Sequence, residues 1–399
     1  MKTIILLCVL TFGFLSISYS QEYEWKDIST NIPQTGEYPP DLSDVYFISD
    51  NEGWITSNSH AEIYHTNDGG ETFEIQTTQF PCNAIHMINV NEGYAGGASG
   101  RVYRTTDGGE IWIAIGSIGV TLTDISFPPT GDTGYACGDS GAEFSIDSTG
   151  VTNLNSPSSS TFRGISAPSV NNVWVCGGNR IYYYNGTDFT SQIAPPGSFN
   201  DIHFINNQEG WVVGDNGVIG HTTDGGAGWA TQTNPDNKNS TLIGVFFMDS
   251  NNGWAVGAYG VILHTIDGGT SWIVEGAGHT SVALSGVHFT SSTNGYIVGN
   301  NKTLLKYTEV SGIGDNVENI KFEIYPNPAK NTIQIQCTAF KTESGIIEIL
   351  SLDSKKILEK EIETGIENIE LDLKNLETGM YFCKITIDNR SSTKKIIKE

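Results

Sequence analysis

Four aspartates in this 399-residue chain stand in one repeated pattern, Thr-x-Asp-Gly-Gly, with Phe or Trp three residues later. They are Asp68, Asp107, Asp224 and Asp267. Such carboxylates could serve as a catalytic acid and base, but glycoside hydrolysis needs two carboxyl groups within roughly 10 Å of each other. Aspartate before two glycines is typical of a tight turn, because the carboxylate accepts backbone N–H bonds and glycine tolerates positive φ. We therefore interpret all four as structural residues of separate hairpins, named here the Asp turns.

The Asp turns belong to a longer repeat that predicts the fold. An aromatic residue recurs every 37 to 43 residues, at Trp54, Tyr94, Tyr135, Trp174, Trp211, Trp254 and Tyr296. Seven copies at this period are typical of four-stranded propeller blades. We predict an all-β fold with a seven-bladed β-propeller over residues 21–313, each blade running through strands A to D with its Asp turn between C and D. The last copy lacks a strand D, and we expect residues 23–28 to supply it and close the ring.

Two copies of the repeat have a different turn. Residues 145–150 keep Asp147 but lose the two glycines, and residues 184–189 use Asn185-Gly186, itself a strong hairpin signal. A catalytic group would not tolerate such variation between copies. The variation therefore supports a structural role for the Asp turns.

The charge and the start of the chain indicate where the protein works. With 45 Asp and Glu against 21 Lys and Arg, the formal net charge is −24. This balance argues against nucleic acid and anionic membrane surfaces as direct partners. Residues 1–20 have the charged start, apolar core and small-residue end of a signal peptide. No later apolar run is long enough to span a bilayer, so we expect an exported chain without a transmembrane segment.

Five cysteines follow the expected signal peptide, and an odd number excludes a complete disulfide framework. Cys137 and Cys176 occupy equivalent positions in neighbouring repeats, so we expect both to be buried and unpaired. Cys337 and Cys383 lie on predicted C-terminal strands, and their placement allows a bridge without requiring one.

The loops between strands B and C vary in sequence and gather on one rim, opposite the Asp turns. Propellers place their binding residues on such variable loops. Three of the four propeller arginines are expected on this rim, where three cations on an acidic body suit an anion or a carboxylate. The candidate binding residues are Arg101, Arg163, Arg180, Asp139, Asp215 and Tyr259.

Six histidines follow the repeat in two sets. His86, His203 and His288 share a position in strand A, and His65, His221 and His264 share one in strand C. One histidine per blade can gather three zinc ligands only if that position lines the axis of the ring. We therefore predict structural histidines, no metal site and no cofactor.

From residue 314 the pattern changes to short alternating strands separated by turn residues. This predicts a small β-sandwich over residues 314–399. Three motifs follow one another in it: Tyr325-Pro326-Asn327-Pro328, then Gly379-Met380-Tyr381, then a basic tail at residues 394–398.

Both parts of the chain resemble known families. The repeat resembles the BNR or Asp-box repeat and looks most like that of the photosystem II stability and assembly factors of the YCF48 type. Related repeats occur in sialidases and xyloglucan-cleaving enzymes, but the Arg-Ile-Pro motif of sialidases is absent. The C-terminal motifs resemble the sorting domain of type IX secretion cargo in Bacteroidetes. That resemblance implies export across the outer membrane, with cleavage of the domain and attachment to a surface lipopolysaccharide.

Two functions stay open at this point. The first is a non-catalytic, secreted or cell-surface propeller that binds an extracellular protein or glycan at the B–C rim. The alternative is a glycoside hydrolase of sialidase-like or xyloglucanase-like type, which two solvent-facing carboxylates close together in a cleft would favour. We expect the type IX machinery as a partner and a monomeric protein.

Overall fold

A computed structural model describes residues 23–129, 131–275, 280–309, 320, 322–351, 356–366, 368–376, 378–387 and 390–398. The expected signal peptide lies outside the described residues. The chain divides into two compact units, the first of which ends at Glu309. Every regular element in the described part is either a β-strand or a short 3₁₀ turn.

The first unit contains seven four-stranded antiparallel sheets, numbered here as blades in chain order. Blade 1 consists of β2 (Leu42–Phe47), β3 (Gly53–Ser57), β4 (Glu62–Thr66) and β5 (Glu74–Thr77). Blade 2 consists of β6 (Cys82–Met87), β7 (Gly93–Gly97), β8 (Arg101–Thr105) and β9 (Ile113–Ser117). Blade 3 consists of β10 (Leu122–Ser126), β11 (Gly134–Gly138), β12 (Glu143–Asp147) and β13 (Gly150–Asn153). Blade 4 consists of β14 (Gly164–Ser169), β15 (Asn172–Gly177), β16 (Arg180–Tyr184) and β17 (Phe189–Ser191).

The remaining three blades follow the same order of strands. Blade 5 consists of β18 (Phe199–Phe204), β19 (Gly210–Gly214), β20 (Ile219–Thr222) and β21 (Ala230–Thr231). Blade 6 consists of β22 (Leu242–Phe247), β23 (Gly253–Gly257), β24 (Ile262–Thr265) and β25 (Ile273–Glu275). Blade 7 combines β26 (Leu284–Ser291), β27 (Asn294–Gly299) and β28 (Thr303–Glu309) with β1 (Tyr23–Asp27). Short 3₁₀ turns lie at Ser29–Asn31, Ala98–Gly100, Asp139–Gly141, Asp215–Gly217 and Ala258–Gly260.

Strand β1 is the outer strand of blade 7, so the two ends of the propeller meet in one sheet. It pairs antiparallel with β28, from Tyr23 opposite Glu309 to Asp27 opposite Leu305. Trp25 is buried there, with its ring centroid 5.0 Å from that of Tyr307. The apolar ring and the backbone pairing together fasten the first described strand to the last blade.

Neighbouring blades pack through stacked aromatic rings. In five of the seven blades the Trp or Tyr of strand B lies flat on the Phe near the end of strand A of the next blade. Ring centroids are 3.9 Å apart for Trp174 and Phe204, and 3.5 Å apart for Trp211 and Phe247. Where strand A ends in Phe, strand B has glycine opposite it because the ring leaves no room for a side chain: a Cβ at Gly253 would lie 2.4 Å from the ring of Phe247. The repeated Gly-Trp pair is therefore the packing unit of the ring.

The second unit is built from two antiparallel sheets around one hydrophobic core. The first sheet consists of β29 (Phe322–Tyr325), β30 (Thr332–Cys337) and β33 (Asn368–Asp372). The second consists of β31 (Gly345–Leu350), β32 (Lys356–Ile362), β34 (Gly379–Ile387) and β35 (Arg390–Lys398), and a 3₁₀ turn lies at Thr338–Lys341. Cys337 and Cys383 are both buried in this core as free thiols. Cys137 and Cys176 are likewise buried and free in the propeller.

Candidate functional site

The carboxylate of each Asp turn is held by hydrogen bonds from residues of the same turn. The Thr66 hydroxyl donates to Asp68 Oδ1 at 2.8 Å and accepts the N–H of Gly70 at 2.9 Å. The backbone N–H and the hydroxyl of Thr72 also donate to this carboxylate, and they are the largest cause of its pKa falling to about 2. Hydrogen bonds within their own turns also lower the pKa of Asp107, Asp224 and Asp267. Every one of these four carboxylates is thus occupied in the turn of its own blade.

The Asp turns also join neighbouring blades. The first glycine of a turn offers its carbonyl oxygen to the strand B aromatic residue of the preceding blade. The donors and acceptors are Trp54 to Gly108, Trp174 to Gly225, Trp211 to Gly268 and Tyr296 to Gly69, at 2.9 to 3.1 Å. The sequence contains both partners of each bond, but its spacing does not show that they belong to different blades.

Two of the six residues predicted for the B–C rim share a cavity at the mouth of the central channel. Arg163 immediately precedes β14, and Asp215 begins the 3₁₀ turn of blade 5. Both line a cavity of about 510 Å³, named here the mouth cavity. Strand A is the innermost strand of each blade, so residues next to it reach the axis.

The other four predicted rim residues lie elsewhere. Arg101 and Arg180 begin the third strands β8 and β16, farther from the axis, and Arg101 lies 6.0 Å from the ring centroid of Phe80. Asp139 lines a separate depression in blade 3, where it accepts a hydrogen bond from Thr161. The Tyr259 side chain is 70% exposed on the blade 6 loop. The structure therefore does not bring these four residues to the mouth cavity.

Several amide side chains that the sequence analysis did not select also line the mouth cavity. They are Asn58, Asn83 and Asn200. Asn200 Nδ2 donates to Asp215 Oδ1 at 3.0 Å and to the Leu242 carbonyl at 2.9 Å, which joins blade 5 to blade 6. Asn83 and Asn200 share one position at the start of strand A. An alignment of the repeats could therefore have identified them as candidate lining residues.

Three further carboxyl groups, named here the axial carboxyls, face the channel between its two ends. They are Asp44, Asp124 and Asp201. The Asp201 carboxylate accepts the N–H of Ile202 at 2.7 Å and that of Val245 in blade 6 at 2.8 Å. Asp44 and Asp124 make the same pair of bonds to their own blade and the next. Each axial carboxyl therefore clasps two inner strands together.

The axial carboxyls hold their protons unusually tightly. Burial raises the pKa of Asp44 to about 6 and that of Asp201 to about 7. For Asp124, burial first and then the charges of Asp201 and Asp44 raise the pKa well above its ordinary value. Neighbouring blades carry Ala84, Gly164 and Gly244 at the equivalent position. An alignment of the repeats would have shown Asp in some blades and a small residue in others at this position, and so would have indicated the axial carboxyls.

The two sets of histidines occupy different environments. In strand C, the His65 ring stacks on Trp54 at 4.8 Å and its Nε2 lies 2.6 Å from Glu52. His221 and His264 also stack on tryptophan and pair with a glutamate. The strand A histidines instead line a second cavity, of about 470 Å³, at the Asp-turn end of the channel. This position does line the axis, yet within the described residues no three His, Cys, Asp or Glu side chains are placed to hold a metal ion.

Glu143 is a buried acid that the sequence analysis missed. It lies near the start of strand C, at the position where the other blades have Ile63, Val102, Ile181, Ile219, Ile262 and Leu304. The side chain is 1% exposed, and neither carboxyl oxygen has a hydrogen-bond partner among the described residues. Burial raises the pKa of Glu143 to about 8. Comparison of the seven repeats would have revealed this acid among aliphatic residues.

Fold and repeat together define the class of the first unit, which is a seven-bladed β-propeller of BNR repeats. Residues 190–276 match the family model described as photosynthesis system II assembly factor YCF48. Residues 323–399 match the model of a secretion system C-terminal sorting domain, so this part of the chain is a type IX sorting domain. That domain indicates export to the cell surface or secretion. The expected bacterial group, Bacteroidetes, stays a prediction.

Solved structures show the same fold. "YCF48 bound to D1 peptide" is 20% identical with a TM-score of 0.58, and covers 72% of this chain and 94% of its own. YCF48 from Cyanidioschyzon merolae is 20% identical with a TM-score of 0.55, covering 71% and 98%. The WD40 β-propeller domain of Doa1 is 11% identical with a TM-score of 0.59, covering 72% and 98%. At these identities the likeness shows the fold alone.

None of the curated proteins compared with this chain matches it. Among the described residues, no helix is long and apolar enough to cross a membrane.

Proposed function

We propose that this chain is an exported propeller that binds an extracellular protein or glycan at the mouth cavity, without catalysis. The observation that carries the proposal is the lining of that cavity: amides and hydroxyls near its rim, Asp215 and the exposed Arg163, with the axial carboxyls on its inner side. Amide side chains offer both a donor and an acceptor, which suits the peptide groups of an extended chain. Arg163 supplies a planar cation for a carboxylate on that chain.

A polypeptide segment that carries a carboxylate fits this lining best, and an acidic glycan is the second choice. Support for a polypeptide comes from a structure of the same fold, which is described as bound to a D1 peptide. The sorting domain supports a location outside the cell, where the ligand would be met after export. Cleavage of the sorting domain, surface attachment and a monomeric state remain predictions.

Binding to arrays of acidic peptides and of glycans, with the full mature chain, tests the proposal. Arg163→Glu should weaken the best binder about tenfold or more, because it replaces a charge-assisted hydrogen bond by repulsion. Arg101→Glu and Arg180→Glu make the same charge change on the rim outside the cavity and should leave binding within about twofold. Equal losses in all three variants, or none in Arg163→Glu, would rule out the mouth cavity as the site.

A glycoside hydrolase is the second candidate, and the axial carboxyls are the observation that favours it. They face one channel, and their raised pKa values are of the kind that a general acid needs. Against it, both oxygens of each carboxylate already accept backbone N–H groups. Cleavage of sialosides or xyloglucan by the parent chain, abolished in Asp124→Asn while the protein stays folded, would establish the hydrolase. An inactive parent chain would exclude it for those substrates.

A further inference from the structure

The cavity at the Asp-turn end of the channel is lined by one residue from every blade at the same strand A position. These seven residues, named here the axial belt, are Tyr46, His86, Ser126, Ser166, His203, Phe246 and His288. Five of them are rings packed in succession around the axis. Their centroids lie 4.5 Å apart for His86 and Tyr46, 4.7 Å for Tyr46 and His288, 5.0 Å for His288 and Phe246, and 5.0 Å for Phe246 and His203. The two serines of blades 3 and 4 complete the circle.

Hydrogen bonds to the backbone assign the proton on two of the histidines. His203 Nδ1 accepts the N–H of Phe247 at 3.2 Å, and His288 Nδ1 accepts the N–H of Phe47 at 3.4 Å. A neutral imidazole whose Nδ1 is an acceptor carries its proton on Nε2. Burial lowers the pKa of His203 to about 4 and that of His288 to about 3, so both rings are neutral at neutral pH. Each therefore offers an Nε2–H donor to a molecule in the cavity.

The two serines of the axial belt are also available as donors, because each hydroxyl oxygen already accepts a backbone N–H group. Ser126 Oγ accepts the N–H of Ala167 at 3.0 Å, and Ser166 Oγ accepts the N–H of Phe204 at 2.9 Å. Neither bond uses the hydroxyl hydrogen, which stays available for an acceptor. Four blades thus present a donor on the axis, between aromatic faces, and the axial carboxyls line the same cavity with oxygen acceptors.

The chemistry of this lining selects the class of ligand. Imidazoles that carry the proton on Nε2 and use Nδ1 as an acceptor have no lone pair left for a metal ion. An anion would lie beside three carboxyl groups, and no lysine or arginine is among the described residues that line this cavity, whereas the mouth cavity has Arg163. A neutral molecule with several hydroxyl groups satisfies donors and acceptors together, and its C–H faces pack on the rings. The volume of about 470 Å³ lies in the usual range for small-molecule sites.

We propose that the axial belt binds a neutral sugar residue, through His203 and His288 as hydrogen-bond donors and Tyr46 and Phe246 as stacking faces. This site lies at the opposite end of the channel from the mouth cavity. It does not depend on what the mouth cavity binds.

Calorimetric titration of the full mature chain with neutral mono- and disaccharides at millimolar concentrations tests this assignment. Phenylalanine is the matched replacement for a belt histidine, because Phe246 fills the same position in blade 6. His203→Phe and His288→Phe should each weaken sugar binding about tenfold, as expected for one lost hydrogen bond. Arg163→Ala, at the mouth cavity, should leave sugar binding unchanged.

Nitrogen NMR of the histidines gives a readout that does not depend on folding of the variants. In the parent chain His203 and His288 should show protonated Nε2, and addition of the bound sugar should shift these two nitrogens. The proposal is overturned if no neutral sugar binds, if both Phe variants keep the parental affinity, or if the sugar leaves the two Nε2 signals unchanged. It is also overturned if Arg163→Ala abolishes sugar binding, which would place the sugar at the mouth cavity.

Discussion

Asp68 and Asp201 each accept backbone N–H groups, yet their pKa values move in opposite directions. Asp68 sits in an exposed turn, where hydrogen bonds from Thr72 lower its pKa to about 2. Asp201 accepts two backbone bonds as well, but burial along the channel raises its pKa to about 7. Exposure to water decides the direction of the pKa shift, because a water-exposed carboxylate keeps its hydration while an enclosed carboxylate loses it.

Aspartate therefore performs two structural tasks in the propeller, one at the outer turns and one at the central axis. At the outer turns, an ionised aspartate orders a hairpin at little electrostatic cost. At the axis, a carboxyl group clasps adjacent inner strands, and its proton affinity rises as a consequence. Glu143 is the extreme of the enclosed kind, because none of the described residues donates a hydrogen bond to its carboxyl oxygens, whereas each axial carboxyl accepts two backbone N–H groups. The enclosed and the turn carboxyls therefore respond to pH with opposite signs.

The largest expected effect is on the pH dependence of stability. A carboxyl group whose folded pKa is raised binds its proton more tightly in the folded state, so its stabilisation is full below pH 4 and is lost as pH rises through 6 to 8. Asp68 acts oppositely, and its contribution is lost only as pH falls through about 2. We expect the free energy of unfolding to be greatest near pH 4–5 and to fall by several kcal/mol by pH 8.

Urea unfolding of the mature chain across that range measures this dependence. All eight tryptophans of the chain lie in the propeller, so their fluorescence reports the unfolding of that unit. A stability maximum at pH 7 to 8 would mean that the enclosed carboxyls are already ionised without cost, and would contradict the comparison.

Glu143→Ile should give the next largest change, a stabilisation of about 4 kcal/mol at pH 8.5. Isoleucine already fills this position in four other blades, so it fits the seam between blades 3 and 4 and removes an unpaired buried acid. Glu143→Gln cannot ionise and should flatten the part of the pH profile that Glu143 causes. Glu110→Gln removes an exposed charge and serves as the control. A gain in Glu143→Ile that is the same at pH 5 as at pH 8.5 would show that ionisation of Glu143 is not involved.

The sequence predicted the ring and its turns because both depend on local patterns that repeat. Gly253-Trp254 and Thr265-x-Asp267 each carry their own physics, in steric room for a ring and in hydrogen bonds over a few residues. The channel was harder to predict, because its chemistry arises between blades. Asp201 reaches the N–H of Val245, which lies 44 residues away along the chain, and no local pattern shows that contact. For the same reason, the sequence indicated rim residues only by the loop that carries them, and of those six only Arg163 and Asp215 reach the mouth cavity.

Asp201→Ala tests the clasp at the axis, and we expect a loss of about 2 kcal/mol at pH 5.5. The Ile202 and Val245 N–H groups would both lose their acceptor in an enclosed site. Asp201→Asn keeps one acceptor oxygen and should lose less. The matched change at a turn, Asp267→Ala, exposes its donors to water and should cost less than Asp201→Ala. Thermal or urea unfolding ranks the three variants, and a turn variant that is less stable than the axial one would reverse the proposed order.

The smallest expected effect separates the two polar groups inside one Asp turn. Thr265 is buried at 2% exposure; its hydroxyl donates to Asp267 and accepts the buried N–H of Gly269 at 2.8 Å. Thr265→Val has the same shape without the hydroxyl, and leaving that N–H without an acceptor should cost about 1.5 kcal/mol at every pH between 5 and 8.

Blade 3 supplies the natural control, because Ile146 occupies the equivalent position beside a turn without the glycine pair. Ile146→Val should therefore lose only the value of a methylene group, about 1 kcal/mol, and no hydrogen bond. Urea unfolding with the amide exchange rate of Gly269 distinguishes the two causes, since only Thr265→Val should release that amide. If the Gly269 amide stays protected in Thr265→Val, Asp267 alone holds the turn. The difference in stability between turn and axial variants then depends on exposure to water, with no contribution from Thr265.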